Sequence, residues 1–402
     1  MLRVAWLISG DESEGIGQAI RGLARRVRDC GTQVAIISIG DGLFCRELQE
    51  SGFNVRMLNA RRLPGLRGGY VSKLCQLVGL YAASRSAKRG LVDTLRDIRA
   101  DAVHVLWPTF LPLAGPVAAQ LGILCVWEMP NVPGQYPLGV NRMILQRGMH
   151  RYGVLAIANS RFSAAAIGER PVRPVVLYPG ADEGRFDPAV VEPVGRDEIG
   201  IPADAIVLGI FGRIVPLKGQ LLVLQALADL KHLEPALHLL LVGPQRDAGY
   251  AAEIRAAAAA AGVSDRLHSA GSVSDPERYY GAVDIAVNSR VDAEPYGLSV
   301  VEAMMMGKPV LAHALGGPAE TVLDGVTGWL TSEATPAALK VGLERALSDR
   351  PRWAVMGAAG SARAREGFSL GHQARRYQEL LEQALGQRAQ GRRRGEAADG
   401  KG

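Results

Sequence analysis

Two groups of residues in the second half of the chain have the types and spacing of a site that handles phosphate and sugar. The first is Gly212-Arg213-Ile214-Val215-Pro216-Leu217-Lys218-Gly219. Two cations on a short glycine-bounded loop suit a diphosphate, because a guanidinium grips two oxygens at once and an ammonium adds a point charge. Alone, the loop reads more readily as a solvated basic turn. The second group is Glu294-Pro-Tyr-Gly297-Leu298-Ser299-Val-Val-Glu302. Gly297, Leu298 and Ser299 open a helix whose free N–H groups and dipole make an anion site. A diphosphate there would lie between Arg213, Lys218 and the helix start. Glu294 could then reach a sugar on one side, and Glu302 could accept hydroxyl hydrogen bonds from a ribose on the other. Two acids at this spacing mean little alone, as either could be a capping or exposed carboxylate. Their placement around a phosphate-ready helix start is what matters.

The surrounding pattern supplies elements to hold these residues. Strand-length apolar runs at Val4–Ser9, Gln33–Ile39, Ala102–Leu106, Ile123–Trp127, Val154–Ala158 and Pro174–Tyr178 alternate with helical patterns such as Gly17–Arg28 and Val140–Arg151. The pattern restarts with strands at Ala205–Phe211, His238–Val242, Leu267–Ala270, Asp284–Asn288 and Pro309–Ala312. Helices fall at Gln220–Leu230, Tyr250–Ala261 and Leu298–Met306. Strands alternating with helices predict two α/β, doubly wound parallel-sheet domains. Ligands of such sheets bind at the carboxyl ends of strands, so a cleft between the two is the expected site. The expected borders are 1–185 for the first domain and 186–367 for the second. A helix over 368–387 is expected to cross back to the first domain, and a basic tail over 388–402 to be disordered.

Composition agrees with this reading. The 402 residues are 48% hydrophobic and 21% charged, which suits two buried cores and argues against a disordered chain. No apolar run reaches the roughly 18 residues that span a bilayer. The N-terminal Met-Leu-Arg-Val-Ala-Trp-Leu-Ile-Ser lacks a cleavage site and reads as a first strand. Cys30, Cys45, Cys75 and Cys125 form no CxxC pair, as expected of reduced thiols in a cytoplasmic protein. The net charge of +6 is concentrated. Arg61, Arg62, Arg67, Lys73, Arg85, Lys88 and Arg89 fall in a stretch with no acidic residue. Interleaved with Tyr70, Leu74, Leu77 and Tyr81, they suggest peripheral docking on an anionic inner membrane face. The same stretch reads, with slight preference, as an apolar helix face packed on the first domain with solvated charges. No nucleic-acid motif accompanies the basic residues.

The segment around Glu294 and Glu302 resembles the E-x7-E signature of retaining glycosyltransferases of the GT-B fold, family 4. The likeness extends to Asn159-Ser160-Arg161-Phe162, Pro179-Gly180-Ala181-Asp182, Gly212-Arg213…Lys218-Gly219, Val242-Gly243, Gly271-Ser-Val273, Gly316-Gly317…Glu320 and Asp324-Gly-Val-Thr-Gly328. It implies a nucleotide-sugar donor bound mostly by the second domain. Arg213 and Lys218 would hold the diphosphate, Glu302 the ribose, Glu294 the transferred sugar, and the turn at Val273 the base. In the first domain, Gly10-Asp-Glu-Ser-Glu-Gly15-Ile-Gly17 resembles the family's glycine-rich loop over the phosphates. His104 stands where the family often has His, although a strand-edge histidine is an equal reading. Glu128, in Trp127-Glu128-Met-Pro, occupies a spot where many members place His. This departure suggests contact with an acceptor hydroxyl or amine.

The implied reaction moves a sugar from a nucleoside diphosphate to a hydroxyl on a sugar, lipid-linked or small-molecule acceptor, with retention, in polysaccharide, lipopolysaccharide or other glycoconjugate synthesis. Arg213, Lys218 and the helix start would offset charge on the leaving diphosphate by preorganised electrostatics. No cofactor is implied, and no metal is expected, since no DxD-type carboxylate pair ends a strand. The rival readings are a GT-B-fold sugar-nucleotide epimerase, which needs no acceptor, and a non-catalytic nucleotide-sugar-binding subunit.

Overall fold

The computed structural model describes residues 1–12, 14–58, 87–132, 140–234 and 236–399. The chain divides into two units, Met1–Tyr178 with Gln373–Gly402, and Pro179–His372. Each is built on its own parallel sheet.

The first unit contains strands β1 (Arg3–Ile8), β2 (Gln33–Ser38), β3 (Val55–Met57), β4 (Ala102–Val105), β5 (Leu124–Met129), β6 (Leu155–Ala158) and β7 (Val175–Val176), in the order β3-β2-β1-β4-β5-β6-β7. Every pairing is parallel. Parallel strands are covered by helices on both faces and therefore read as continuous apolar runs rather than alternating ones. β5, Leu-Cys-Val-Trp-Glu-Met, is buried along its whole length. The chain leaves β1 toward β3 and then returns to β1's other side at β4, so the winding reverses between β1 and β4.

The second unit repeats the plan. It contains β8 (Ile206–Phe211), β9 (Leu237–Val242), β10 (Leu267–Gly271), β11 (Ile285–Asn288), β12 (Val310–His313) and β13 (Gly328–Thr331), ordered β10-β9-β8-β11-β12-β13. Its winding reverses between β8 and β11. Local chemistry sets the helix ends. Asp247 caps the Ala248–Ala261 helix by accepting from the Tyr250 N–H at 2.9 Å, and Gly262 ends it in the left-handed region at φ 66°. The two strands without a sequence signal are short. β3 is three residues long, and β13 starts at Gly328, where a Cβ would meet the Val310 carbonyl at 2.0 Å.

Three expectations are corrected. The border lies at Tyr178/Pro179, not 185/186, because residues 180–181 are held by the end of the second unit. Ala181 N–H donates to Phe368 O at 3.0 Å, and Leu370 N–H donates to Ala181 O at 2.9 Å. For the same reason the other border falls at His372/Gln373 rather than 367/368. The tail expected to be disordered from 388 continues as backbone helix, since one helix runs Leu370–Asp399. Its Ala, Arg, Gln and Glu content favours that state. Among the described residues no helix is long and apolar enough to cross a membrane. Of the basic stretch, residues 59–86, including Arg61, Arg62, Arg67, Lys73 and Arg85, lie outside the described residues.

The last helix completes the first unit's core. Ala374, Tyr377 and Leu381 on it are fully buried, and the Tyr377 ring meets Trp6 edge-on at 6.0 Å. Tyr377→Ala should lower stability by about 3–5 kcal/mol, as for other buried aromatic truncations. Tyr377→Phe, which keeps the ring, should cost about 1 kcal/mol. Urea midpoints of the two variants check this; equal losses would show that the ring does not anchor the helix.

Candidate active site

In the second unit the site residues gather where the winding reverses, at the carboxyl ends of β8 and β11. This is the position at which open α/β sheets bind ligands. The loop 212–219 leaves β8 at Gly212, whose φ of 139° is open to glycine. It ends at Gly219, φ 67°, where a Cβ would stand 2.0 Å from the Ser289 carbonyl. Only glycine lets this loop lie against the segment after β11. Two hydrogen bonds fix it there. Ser289 Oγ donates to Lys218 O at 2.9 Å, and Val291 N–H donates to Leu217 O at 3.1 Å. The loop that carries Glu294 is gripped from its other side. Glu294 N–H donates to Leu315 O at 3.0 Å and Gly317 N–H to Glu294 O at 2.8 Å. Side chains at Gly316 and Gly317 would collide with the carbonyls of Glu294 and Tyr296.

This framework brings Lys218 and Glu294 together. Lys218 Nζ lies 2.8 Å from Glu294 Oε2. Arg290 approaches the other oxygen, with NH1 3.2 Å from Oε1. Glu294 is buried, at 8% exposure, and meets a cation at each of its two oxygens. Arg213 is exposed, and among the described residues its side chain has no hydrogen bond or ion pair. Its carbonyl accepts from Gln220 Nε2 at 2.9 Å, which steadies the backbone. Gly297, at φ 88°, is the N-cap of the Leu298–Met305 helix, so the helix-starting N–H groups of Leu298 and Ser299 lack helical acceptors. Val273 is half-buried on the loop after β10.

Glu302 lies deeper on the same helix. Tyr280 OH is 3.1 Å from Glu302 Oε2 and 3.1 Å from Ser299 O, and its ring stacks on Phe211 at 3.6 Å. Burial pushes the Glu302 carboxyl up to about 7, opposed by the Tyr280 hydrogen bond and the Arg185 charge. Arg185 is itself held by Glu277 at 2.8 Å.

The first unit brings His104 and Glu128 together. His104 is not at a strand edge. It is the third residue of β4 and fully buried, with Trp6 stacked on its ring at 4.5 Å. Its Nδ1 shares a 2.6 Å hydrogen bond with Tyr377 OH, and its Nε2 lies 3.3 Å from Glu128 Oε2. Burial lowers the imidazole to about 3 and raises the Glu128 carboxyl to about 7. The glycine-rich loop is shorter than expected. Gly15 and Gly17 lie in the Glu14–Asp29 helix, where Gly17 makes room for the Phe44 ring. The loop proper turns at Gly10, φ 99°, and is closed by Glu12. That carboxylate accepts from Ser9 N–H at 2.6 Å, Ser9 Oγ at 2.7 Å and Gly10 N–H at 3.0 Å.

Arg290, Tyr280, Arg185, Tyr377 and Glu12 are the residues that sequence reasoning missed. Only Arg290 had a usable signal, as a cation four residues before the motif's first acid. Among the described residues no three His, Cys, Asp or Glu side chains gather as a metal-binding group.

Two doubly wound parallel units with a cation-and-carboxylate site at a carboxyl edge define a GT-B glycosyltransferase architecture. Residues 192–363 match the family Glycosyl transferases group 1, and residues 14–180 match the Glycosyl transferase 4-like domain. The chain is 30% identical to the 2-deoxystreptamine glucosyltransferase of Streptomyces kanamyceticus over 81% of its own length and 88% of that protein's. It is 30% identical to the D-inositol 3-phosphate glycosyltransferase of Segniliparus rotundus over 58% of its length and 53% of the relative's. The chain thus spans about half the length of the latter kind of curated relative. Among solved structures it resembles Anabaena HepE in complex with UDP, with a TM-score of 0.79 at 23% identity, covering 95% of this chain and all of that one. The chain belongs to the glycosyl transferases group 1 family of the GT-B fold.

The buried carboxyl at Glu128 gives a pH test. Its pKa is raised on folding from an ordinary 4.5 to about 7, so the folded state holds more protons between those values. Stability from this group is therefore complete below about pH 4.5 and lost as pH rises toward 7. Glu128→Gln should remove that loss, gaining up to about 3 kcal/mol on wild type between pH 4.5 and pH 8. Denaturant titrations at both pH values measure it; a constant difference between the proteins would refute the shifted carboxyl.

Proposed function

We propose that the chain is a retaining glycosyltransferase that moves a sugar from a nucleoside diphosphate to a hydroxyl of a polyol ring. The observation that carries this is the meeting of Lys218 and Glu294 at the β8/β11 reversal, 2.8 Å apart, beside the start of the Leu298–Met305 helix. A cation for the diphosphate and a carboxylate for the sugar thus share one strand edge. Retention of configuration is what the family resemblance implies.

The chemical problem is negative charge on the departing diphosphate. Arg213 stands exposed on the β8 loop and, among the described residues, without a side-chain partner, ready to take phosphate oxygens. Lys218 adds a second charge and the helix start a third source of positive potential. Glu302, held by Tyr280, offers carboxylate oxygens to the ribose hydroxyls. Glu294 accepts from hydroxyls of the transferred sugar and fixes its orientation. Glu128 on the first unit is assigned to the acceptor. The cations Arg213 and Lys218 carry out the charge stabilisation, so transfer should persist in EDTA.

UDP is the first nucleotide to try, because HepE binds it. An inositol or aminocyclitol is the first acceptor, because the named relatives act on inositol 3-phosphate and 2-deoxystreptamine. The decisive assay is a panel of UDP, GDP and ADP and their glucose conjugates, read by thermal shift and then by transfer. A nucleotide at 100 times its Kd should stabilise by about 2.7 kcal/mol. Nucleotide-sugar turnover that is indifferent to every acceptor would instead favour an epimerase.

Two sets of variants divide the roles. Glu294→Gln should lower kcat on the order of 10²-fold or more, whereas Glu302→Ala should mainly raise the donor KM, since the ribose is remote from the chemistry. Arg213→Ala and Lys218→Ala should nearly abolish turnover without unfolding the protein. Wild-type turnover in either cation variant would remove the diphosphate from this loop.

A further inference from the structure

Glu294 holds two cations, and they are not equivalent. Lys218 reaches Oε2 on a flexible four-carbon stem. Arg290 reaches Oε1 with NH1 while its Nε and NH2 engage Asp292, the NH2–Oδ2 distance being 3.3 Å. The Arg290 side chain is only 15% exposed. Its planar fork is therefore braced on one side by Asp292 and on the other by Glu294, the geometry in which a guanidinium is best ordered. The backbones beneath the two cations are tied together through the Ser289–Lys218 and Val291–Leu217 hydrogen bonds. Any exchange of partners here needs only side-chain rotation, a motion of picoseconds to nanoseconds for a partly exposed group.

A donor makes two conflicting demands on this cluster. The diphosphate calls for Lys218, yet a buried carboxylate abandoned by its cation is strongly destabilised. Resting on the donor reading above, we propose that Arg290 is the positioning residue that resolves the conflict. The Lys218–Glu294 pair belongs to the donor-free site. When a diphosphate arrives, the Lys218 ammonium turns to phosphate oxygen and releases Oε2. Arg290 keeps Oε1, so Glu294 keeps a cation and stays in place. The freed Oε2 is then the atom that accepts from a sugar hydroxyl. One carboxylate oxygen is structural and the other is vacated by the donor itself, so the sugar-binding group is exposed only when a diphosphate is present.

The test uses the full-length chain with Arg290→Gln and Arg290→Lys, measuring kcat, donor KM with UDP-glucose, and the Kd for UDP, which carries no sugar. Expected is a fall in kcat on the order of 10²-fold for Arg290→Gln, with weaker UDP binding as well, because Lys218 then leaves Glu294 without a cation; in Arg290→Gln/Glu294→Gln the UDP affinity should return to within about twofold of wild type. Arg290→Lys, which keeps the charge but not the fork, should recover about tenfold of that loss. Wild-type kcat in Arg290→Gln overturns the inference. So does a loss of UDP affinity that persists in Arg290→Gln/Glu294→Gln, which would make Arg290 a phosphate ligand. If Arg290→Gln does not fold, Arg290→Lys decides alone: a kcat about tenfold down with UDP binding intact supports the role, and an unchanged kcat overturns it. A wild-type chain that neither binds UDP, GDP or ADP nor transfers sugar overturns the donor reading itself, and is distinguished by that from failure of the Arg290 role.

Discussion

The reversal of winding in each parallel sheet is the constraint on which the rest depends. Parallel strands connected by crossover helices send every strand out of the same edge. At most positions the loops after adjacent strands turn to the same face of the sheet. Where the order reverses, the loops of two adjacent strands diverge and leave a crevice. In the second unit β8 and β11 flank that crevice, and the loops after them carry Arg213, Lys218, Arg290 and Glu294. The glycines at 219, 316 and 317 have no chemistry of their own. They let three backbone segments approach closely enough for side chains on different loops to meet.

Burial then sets the electrostatic character of what is gathered. A carboxylate at the mouth of such a crevice loses water and must find compensation or a proton. Glu294 finds cations. Glu302 and Glu128 find a tyrosine and a neutral imidazole, and both are pushed up to about 7. Burial raises these two carboxyls, whereas Glu294 is met by the cations Lys218 and Arg290.

The parallel-sheet architecture was legible because buried parallel strands announce themselves as apolar runs between helical patterns. The loop 212–219 and the Glu294–Glu302 segment could be read as a candidate site because each is contiguous. Contacts made across the sequence were not. His104 and Tyr377 are 273 residues apart, and Tyr280 lies 22 residues from Glu302, so no local pattern links either pair. Gly15 and Gly17 show the converse. A glycine reads as a loop former, yet Gly17 serves a helix by admitting the Phe44 ring, which only the fold reveals. The long final helix was cut short in the reading because composition predicts burial, and a helix can continue by propensity past its last buried residue.

The two units differ in how the chain builds them. The second is one continuous stretch, Pro179–His372, whereas the first is interrupted by it and resumes only at Gln373. During synthesis from the amino end, β1 to β7 emerge early but lack the helix that brings Tyr377 against Trp6 and His104. For the time needed to make nearly two hundred further residues, at about 5–20 residues per second, Trp6 and His104 wait for their contacts with Tyr377. The second unit can meanwhile close on itself. The order of completion on the ribosome is therefore inverted relative to the order of the sequence: the unit begun first is the one finished last.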